Sequence, residues 1–473
     1  MPVVFLLYWL VFNRSGRLRN GFLLAASYLF YGWWDWRFLL LIAFSSLVDF
    51  TVARRMGGAG PRGQRKFLLA LSLAVNLGLL GFFKYYNFFA GSFTEAFTLL
   101  GSEFSVARLN LILPVGISFY TFQTLSYTID VYRGNLEPTR DPVEFLAFVS
   151  FFPQLVAGPI ERAGQLLPQF ATPKTFDYGR AVDGMRQILI GLFKKVVVAD
   201  NCAVLANDIF NNYGDYSGST LVLGAAFFAV QIYGDFSGYS DIAIGTARLL
   251  GFDLMRNFAY PYFSRDVAEF WRRWHISLTT WFRDYIYIPL GGSRGSRGMK
   301  VRNVMIIFLV SGFWHGANWT FIVWGLLNAI YFLPLLLADR NRAYAGETVA
   351  AGRALPSLTE VGQMTATFLL ITLAWVFFRS PTVTDAVAYL GRVVSPSLLS
   401  VPEVGQYSLR ELAVVPMIGL LTVIEWVGRT DQHGLERLGL GWPRAGRWAL
   451  YLLLVGLLMV LGGREQTFIY FQF

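Results

Sequence analysis

The chain has 473 residues, of which 55% are hydrophobic and only 15% are charged, whereas soluble globular domains carry about 25% charged residues. This composition excludes a soluble protein and predicts an all-α integral membrane protein. The net charge of +10 would suit a nucleic-acid partner, but the arginines cluster in short loops between apolar runs, as the positive-inside rule describes, so we expect no nucleic acid. The single cysteine, Cys202, excludes an intramolecular disulfide and is interpreted as inert packing, and the three histidines show no metal-site spacing.

The first elements are short apolar runs separated by basic loops. Val3–Phe12 is too short to cross a bilayer, so we expect a truncated first span or a misplaced start codon. Gly21–Tyr31 and Phe38–Phe50 follow, joined by a tryptophan-rich turn at residues 32–37 that is typical of a membrane interface. The loop Arg54–Lys66 carries five cations and no acid, which predicts that it is cytoplasmic and that the tryptophan turn faces the other side.

The next stretch predicts crossings mixed with broken or interfacial segments. Phe67–Phe83 is predicted to cross, and Tyr85–Arg108 to lie at the outer interface. Leu109–Ile129 is predicted to return, kinked by its proline and glycine or packed inside the bundle. Val143–Pro159 contains two prolines and is interpreted as re-entrant or buried, and Arg186–Asp200 as an interfacial helix because of its two lysines.

The remaining apolar runs complete a bundle of about eleven or twelve crossings, with additional re-entrant and interfacial helices. We expect one polytopic domain over residues 1–473, with a catalytic core at about 233–329. The further spans are predicted at Thr220–Tyr233, Asn318–Ala338, Met364–Phe378, Leu412–Val427 and Trp448–Leu461.

Three motifs stand out within and beside this core: DFSGYSD at residues 235–241, FWRRWHISL at 270–278 and WHGANW at 314–319. With FIYFQF at 468–473, these motifs resemble the membrane-bound O-acyltransferases, and within them the bacterial branch that O-acetylates extracellular polysaccharides such as alginate. The resemblance extends over nearly the whole chain. Two long motifs at the right separation are far more specific than one short pattern.

The resemblance implies the enzyme's fold, reaction and surroundings. It implies a bundle with funnels from both faces meeting near His315, which matches the family's catalytic histidine. An acetyl group would pass from a cytoplasmic donor, acetyl-CoA or another acetyl carrier, to a hydroxyl beyond the membrane. The implied location is the bacterial inner membrane, among lipid, with periplasmic O-acetylation partner proteins and a polysaccharide acceptor. No bound cofactor is implied.

The residues around the two histidines of the core are compatible with either a catalytic or a structural role for each histidine. Burial would keep His315 neutral and able to act as a general base, yet a buried structural histidine fits the pattern equally well. Asn318 would share a helix face with His315 if a helix had begun there. His275 lies beside a stripe of Trp271, Trp274, Leu278 and Trp281 that predicts one interfacial helix, so it is either a catalytic helper or part of an anchor.

Further polar residues are candidates for binding the acyl donor or substrate. Ser237 lacks the strand-to-helix elbow that activates a serine nucleophile, so a buried network with Asp235 is the favoured interpretation. The basic glycine-rich loop at residues 291–302 either guides a phosphate-bearing donor or only sets topology. The candidates for binding are Asn318, Trp314, Asp235, Ser237, Arg272 and Arg273.

Two other functions remain open at this level. A related acyltransferase could act on peptidoglycan, teichoic acid, a lipid or a protein, since nothing in the motifs separates these acceptors. A transporter would also contain broken helices and buried polar groups, although the chain shows no inverted repeat.

Overall fold

The computed structural model describes residues 1–58, 60–101, 104–462 and 466–469, and helices are the only regular elements among them. The chain divides into two compact units. The first unit contains Met1–Gly184 and Thr246–Met255, and the second contains Met185–Gly245 and Arg256–Phe473. The expectation of one domain stays a prediction.

The first unit contains nine helices in its described residues before residue 172. Helix α1 runs on into a π-helical turn at Tyr8–Phe12, and a second such turn at Gly81–Tyr85 joins α4 to α5. The helices are α1 (Pro2–Leu7), α2 (Gly16–Asp35), α3 (Arg37–Gly57), α4 (Arg62–Leu80), α5 (Tyr86–Leu99), α6 (Ile117–Arg133), α7 (Pro142–Ser150), α8 (Phe152–Leu155) and α9 (Ala163–Ala171).

The tryptophan-rich stretch contains the predicted turn between α2 and α3, and its location at a membrane interface stays a prediction. α2 ends at Asp35 and α3 begins at Arg37, and Trp33 in the last turn of α2 is 86% exposed. The segment expected at the interface continues the preceding span as one helix over residues 62–99, and its interfacial location stays a prediction; residues 102–103 lie outside the described chain. α6 begins after Gly116, so the proline and glycine precede it and do not bend it, but the alternative of packing inside the bundle is confirmed because residues 117–128 are all buried.

A buried carboxylate joins three helices of the first unit. Asp49 of α3 accepts hydrogen bonds from Ser72 Oγ (2.5 Å) and Asn76 Nδ2 (2.9 Å) of α4. Ser72 Oγ also bonds Thr128 of α6 at 3.1 Å. α7 is buried as predicted, with Phe145 and Phe148 fully inaccessible. Polar satisfaction and aromatic packing thus act together in this core.

The rest of the chain is likewise helical and carries the three motifs. A π-helical segment, Phe193–Ala199, separates α10 from α11, and another, Arg283–Tyr287, follows α14. The helices are α10 (Tyr178–Leu192), α11 (Asp200–Asn211), α12 (Gly218–Leu249), α13 (Val267–Arg273), α14 (Ile276–Phe282), α15 (Arg297–His315), α16 (Trp319–Leu337), α17 (Leu358–Arg379), α18 (Val383–Val393), α19 (Leu409–Leu412), α20 (Val414–Val427) and α21 (Arg444–Leu461).

Five of the described helical stretches are long and apolar enough to cross a membrane: residues 62–99, 218–249, 319–337, 358–379 and 444–461. They confirm an all-α integral membrane protein, and three of them coincide with predicted spans. The predicted span at 220–233 is too short, because α12 continues to Leu249 and takes the first motif into the helix. α20 has only 14 residues. The total of eleven or twelve crossings stays a prediction.

Candidate active site

The hairpin of α15 and α16 carries His315 at its turn, as the last residue of α15. The two helices touch because two glycines leave room for main chain. A Cβ atom at Gly312 would overlap the carbonyl oxygen of Phe321, and one at Gly325 would overlap that of Phe308. Small residues allow such close backbone approach between membrane helices. Main-chain packing therefore fixes the position of His315.

Aromatic rings surround the buried imidazole of His315. Its ring centroid lies 5.0 Å from Trp314, 5.0 Å from Trp324 and 5.3 Å from Phe378, each edge to face. Trp324 in turn stacks on Trp375 at 5.6 Å. Walls of this kind make the surroundings of the imidazole largely apolar. Trp314 is thus part of the wall, and its contact with a substrate stays a prediction.

Asn318 does not share a helix face with His315, so that interpretation is wrong. The chain leaves the helix at Gly316, whose backbone is extended, and Asn318 caps the next helix. Its Oδ1 accepts from the backbone N–H of Thr320 at 3.1 Å, and its Nδ2 donates to the carbonyl of Pro381 at 2.8 Å. Both ends of this amide hold the hairpin turn, and its role in donor binding remains a prediction.

The predicted interfacial helix around His275 is two short helices, α13 and α14, buried in the second unit. The helix breaks because His275 adopts a left-handed conformation (φ 44°) as the residue before α14. Such a conformation is uncommon for a residue with a side chain and persists only where surrounding contacts maintain it. All four stripe residues are buried, which contradicts an interfacial location; they are Trp271, Trp274, Leu278 and Trp281.

One cavity of about 60 Å³ brings the two histidines together. A cavity needs roughly 10–15 Å³ to hold one water, so this space admits a small polar group. Among the described residues of its lining, Thr279 and Ser311 add hydroxyl groups. The remaining lining residues are apolar or aromatic: Trp271, Trp274, Leu278, Phe282, Ile307 and Phe308. Two imidazoles converging on an apolar cavity form an arrangement suited to proton transfer.

The side chain of His275 is 1% exposed and has a polar partner that sequence reasoning missed. Its Nδ1 lies 3.1 Å from Oδ1 of Asn257, which precedes it by eighteen residues. Burial lowers the pKa of His275 to about 3, so this imidazole is neutral at physiological pH. No motif marks Asn257, because an asparagine in a loop between apolar segments is ordinarily a turn residue.

Asp235 belongs to a buried polar network inside α12, as the favoured interpretation of the first motif predicts. Asp235 Oδ1 lies 2.7 Å from Lys195 Nζ, and its Oδ2 accepts from the backbone N–H of Ile469 at 2.7 Å. The closing motif therefore reaches this network, although its residues 470–473 lie outside the described chain. Ser237 Oγ is buried without a hydrogen-bond partner in the described part of the chain.

Lys194 is a buried charge, so the interfacial interpretation of its segment is wrong. Its Nζ lies 3.0 Å from Asp241 Oδ2 and 2.7 Å from Glu425 Oε1, and Tyr233 donates to the same Glu425 oxygen at 2.7 Å. Gln187 donates to the other oxygen of Asp241 at 2.9 Å. The two lysines within the apolar run LFKKVVVA could have signalled this pairing, because a cation in an apolar segment requires a buried partner.

The two arginines of the second motif are engaged in structural contacts. Arg273 pairs with the buried Glu269 at 2.8 Å, and Arg272 donates to the carbonyl of Asn341 at 2.7 Å. Binding of a donor by either arginine stays a prediction. No group of three or more potential metal-ligating side chains occurs in the part of the chain that the structure describes. Cys202 is buried, as expected for inert packing.

The fold defines an integral membrane protein with two buried histidines at one cavity, and comparison with known proteins shows that it is an acyltransferase. The model for the membrane-bound O-acyltransferase family matches residues 139–346. The whole chain is 37% identical to 98% of a probable alginate O-acetylase of Pseudomonas putida, and 32% identical to 95% of a peptidoglycan O-acetyltransferase of Helicobacter pylori. A teichoic acid D-alanyltransferase of Bacillus subtilis is 29% identical over 47% of this chain and 58% of its own length. The protein belongs to the membrane-bound O-acyltransferase family.

Proposed function

We propose that this acyltransferase moves an acetyl group from a cytoplasmic donor across the bacterial inner membrane to hydroxyls of a polysaccharide such as alginate. The observation that carries the proposal is the cavity shared by His275 and His315, in a chain similar over its full length to a probable alginate O-acetylase. The donor is acetyl-CoA or another acetyl carrier, and periplasmic partner proteins receive or pass on the acetyl group. The chain is a multi-pass protein surrounded by lipid.

His315 acts as the general base in this reaction. A neutral imidazole accepts the hydroxyl proton while the hydroxyl oxygen attacks the acetyl carbonyl carbon. The bond between the acetyl group and its carrier then breaks, and the carrier leaves with a proton. The aromatic walls around His315 exclude water, which would otherwise compete as the acceptor.

Substitution of His315 tests this function directly. His315→Ala and His315→Gln should each remove detectable acetylation, because general-base catalysis is typically worth about 10²–10⁴-fold and an amide cannot accept the proton. The measurement is the acetyl content of the acceptor at matched protein level. His433→Gln is the matched control, since His433 is buried but does not line the cavity. Near-normal acetylation by His315→Gln would contradict the role of base.

Peptidoglycan is the second candidate acceptor, because the similarity to the peptidoglycan O-acetyltransferase of Helicobacter pylori also spans the whole chain. A strain lacking the protein separates the two acceptors. Loss of acetyl from the exopolysaccharide with unchanged peptidoglycan supports our proposal. The reverse result assigns the chain to the cell wall.

The direction of transfer depends on the orientation of the chain. The loop between α3 and α4 carries the strongest excess of cations, so it should be cytoplasmic. A Gly60→Cys variant should resist a membrane-impermeant thiol reagent in intact cells and react after permeabilisation. The native Cys202 is buried and gives little background. Labelling of intact cells would reverse the assigned orientation.

A further inference from the structure

The side chain of Asn257 bonds Ser240 of α12 and His275 before α14, and its main-chain carbonyl accepts from the backbone N–H of Ile276. We propose that Asn257 is a positioning residue that holds His275 in the Nδ1–H tautomer, so that Nε2 is the basic nitrogen available for acyl transfer. The tautomer is inferred from the contacts of Asn257, whereas its use in catalysis depends on the proposed function. Asn257, Ser277 and His275 are each no more than 1% exposed.

The backbone N–H of Ser277 sets the orientation of the Asn257 amide, because this group can only donate a hydrogen bond. The backbone N–H of Ser277 lies in the first turn of α14, where it has no partner within the helix. It donates to Asn257 Oδ1 at 3.3 Å, and the Ser277 hydroxyl donates to the same oxygen at 2.9 Å. On the other side of the amide, Nδ2 donates to Ser240 Oγ at 3.1 Å. The oxygen therefore faces α14 and the nitrogen faces α12.

This orientation decides the tautomer of His275. Nδ1 of His275 lies 3.1 Å from Asn257 Oδ1, an atom that can only accept. A protonated Nδ1 forms a hydrogen bond there, whereas an unprotonated Nδ1 would place two lone pairs against each other. Ser277 Oγ is a poorer partner for Nδ1, at 3.4 Å. In a neutral imidazole with hydrogen on Nδ1, Nε2 carries the lone pair.

The main chain of Asn257 maintains the strained turn as well. Its carbonyl accepts from the backbone N–H of Ile276 at 2.9 Å, directly after the left-handed His275. Nearby, the backbone N–H of Ala259 donates to the carbonyl of Arg273 at 2.9 Å. These bonds flank the break between α13 and α14 and hold the imidazole in place. Asn257 thus sets both the orientation and the protonation pattern of His275.

The groups around His275 determine how a negative charge at position 257 would affect protonation of its imidazole. The rings of Phe236, Phe258 and Trp314 pack against His275 at centroid distances of 4.7, 6.4 and 5.9 Å. The titratable group that shares its cavity is His315. On its other side, Asn257 lines a pocket together with Lys194, Asp241, Arg256, His433 and the phenols of Tyr233 and Tyr260, where Lys194 is already paired with Asp241. A carboxylate at position 257 would thus face the imidazole directly and stabilise its protonated form.

Histidine spectroscopy tests the tautomer without any acetyl transfer. The chain has three histidines, so protein labelled with ¹⁵N-histidine gives three pairs of ring nitrogen signals. The signals of His275 are assigned by their loss in His275→Gln. We expect a protonated Nδ1 and an unprotonated Nε2 at neutral pH in the wild-type protein. A protonated Nε2 with an unprotonated Nδ1 would overturn the proposal, whatever the enzyme proves to acetylate.

The pH profile of acetyl transfer tests the catalytic use of this tautomer. Asn257→Asp keeps an acceptor for Nδ1–H, and Ser240 can turn its hydroxyl to donate, but the carboxylate favours the imidazolium. The acid limb should move to higher pH, with activity reduced roughly 10–100-fold at neutral pH, the range seen when partners that orient metal-bound histidines are removed. Activity should recover in alkaline buffer.

Asn207→Asp is the matched control, because it makes the same change where Asn207 Oδ1 already accepts from Arg379 at 2.8 Å. Its profile should match that of the wild type. An unshifted profile in Asn257→Asp with normal protein level would mean that Asn257 only fills space and would overturn the proposal. If the Asn257→Asp protein does not accumulate in cells, the ring nitrogen signals of His275 in the wild-type protein still test the proposed tautomer.

Discussion

The two histidines of the cavity are held in different ways. His315 ends a long helix whose position is fixed by glycines and aromatic walls, and its placement depends on apolar packing. His275 lies at a break between two short helices, and its placement depends on hydrogen bonds from a loop. Close helix packing therefore positions His315, whereas a set of hydrogen bonds positions His275.

Because the two histidines are held differently, substitutions in the two regions should have different consequences. Packing defects in the α15–α16 hairpin should reduce the amount of folded protein, because interiors respond to the loss or addition of a single methyl group. Changes in the contacts of His275 should affect protonation and orientation, because buried polar networks specify geometry. The two histidines can thus be perturbed by independent routes.

The largest expected effect distinguishes the two imidazoles themselves. His315→Ala should lower acetyl transfer by about 10²–10⁴-fold, and His275→Ala by less, because His275 assists the base. Membrane insertion and protein level should stay normal in His315→Ala. Acetyl content at matched protein level is the measurement. Full inactivity of His275→Ala with activity in His315→Ala would reverse the two roles.

Removal of a buried indole should have the next largest effect. Trp274 is 1% exposed and packs on Phe270 at 5.4 Å and on Trp375 at 5.1 Å. Trp274→Ala should destabilise the second unit by about 3–5 kcal/mol, since it leaves a cavity. Trp448→Ala, at a tryptophan that is 61% exposed, is the control. Equal thermal stability of the two variants in detergent would contradict the buried packing.

A methyl group in the hairpin should have a smaller but measurable effect. Gly312→Ala forces α15 away from α16, because the new Cβ atom overlaps the Phe321 carbonyl oxygen. Overpacking typically costs about 1–3 kcal/mol. Gly419→Ala makes the same change in α20 with nothing within 4 Å and should be harmless. Unchanged thermal stability and acetyl transfer in Gly312→Ala would show that the hairpin does not position His315 by close contact.

The smallest effect concerns the pH dependence of stability around His275. Burial lowers the pKa of His275 to about 3, against a value near 6.5 in an unfolded chain. Its contribution to stability is therefore complete above pH 6.5 and is lost progressively as the pH falls towards 3. The thermal midpoint of His275→Gln should decrease less between pH 6.5 and 4.5 than that of the wild type. Parallel curves would contradict a neutral buried imidazole.

Several features were accessible to sequence reasoning because they depend on local pattern. Low charge and long apolar runs predict membrane helices, and the spans at α16, α17 and α21 follow from unbroken hydrophobicity. The motif residues His275 and His315 were both identified as candidates. The segment 143–159 was correctly predicted as buried, since prolines in an apolar run require cover by protein.

Other features could not be predicted from the sequence, because they depend on residues that are distant in the chain. The stripe of Trp271, Trp274, Leu278 and Trp281 has helical spacing, but a left-handed residue breaks the helix and other helices cover it. Helical periodicity reports which face is apolar and does not report whether lipid or protein lies against it.

The sequence by itself determined the membrane class, the family motifs and the two histidines, because composition, hydropathy and residue identity are properties of the chain. Only the tertiary structure decided that these histidines share a cavity and that Asn257 contacts one of them. It also decided that Lys194 is paired with Asp241 and Glu425 in the interior. The reason is that a buried polar group is stable only with partners, and those partners come from segments brought together by apolar packing, whose pairing no local pattern encodes.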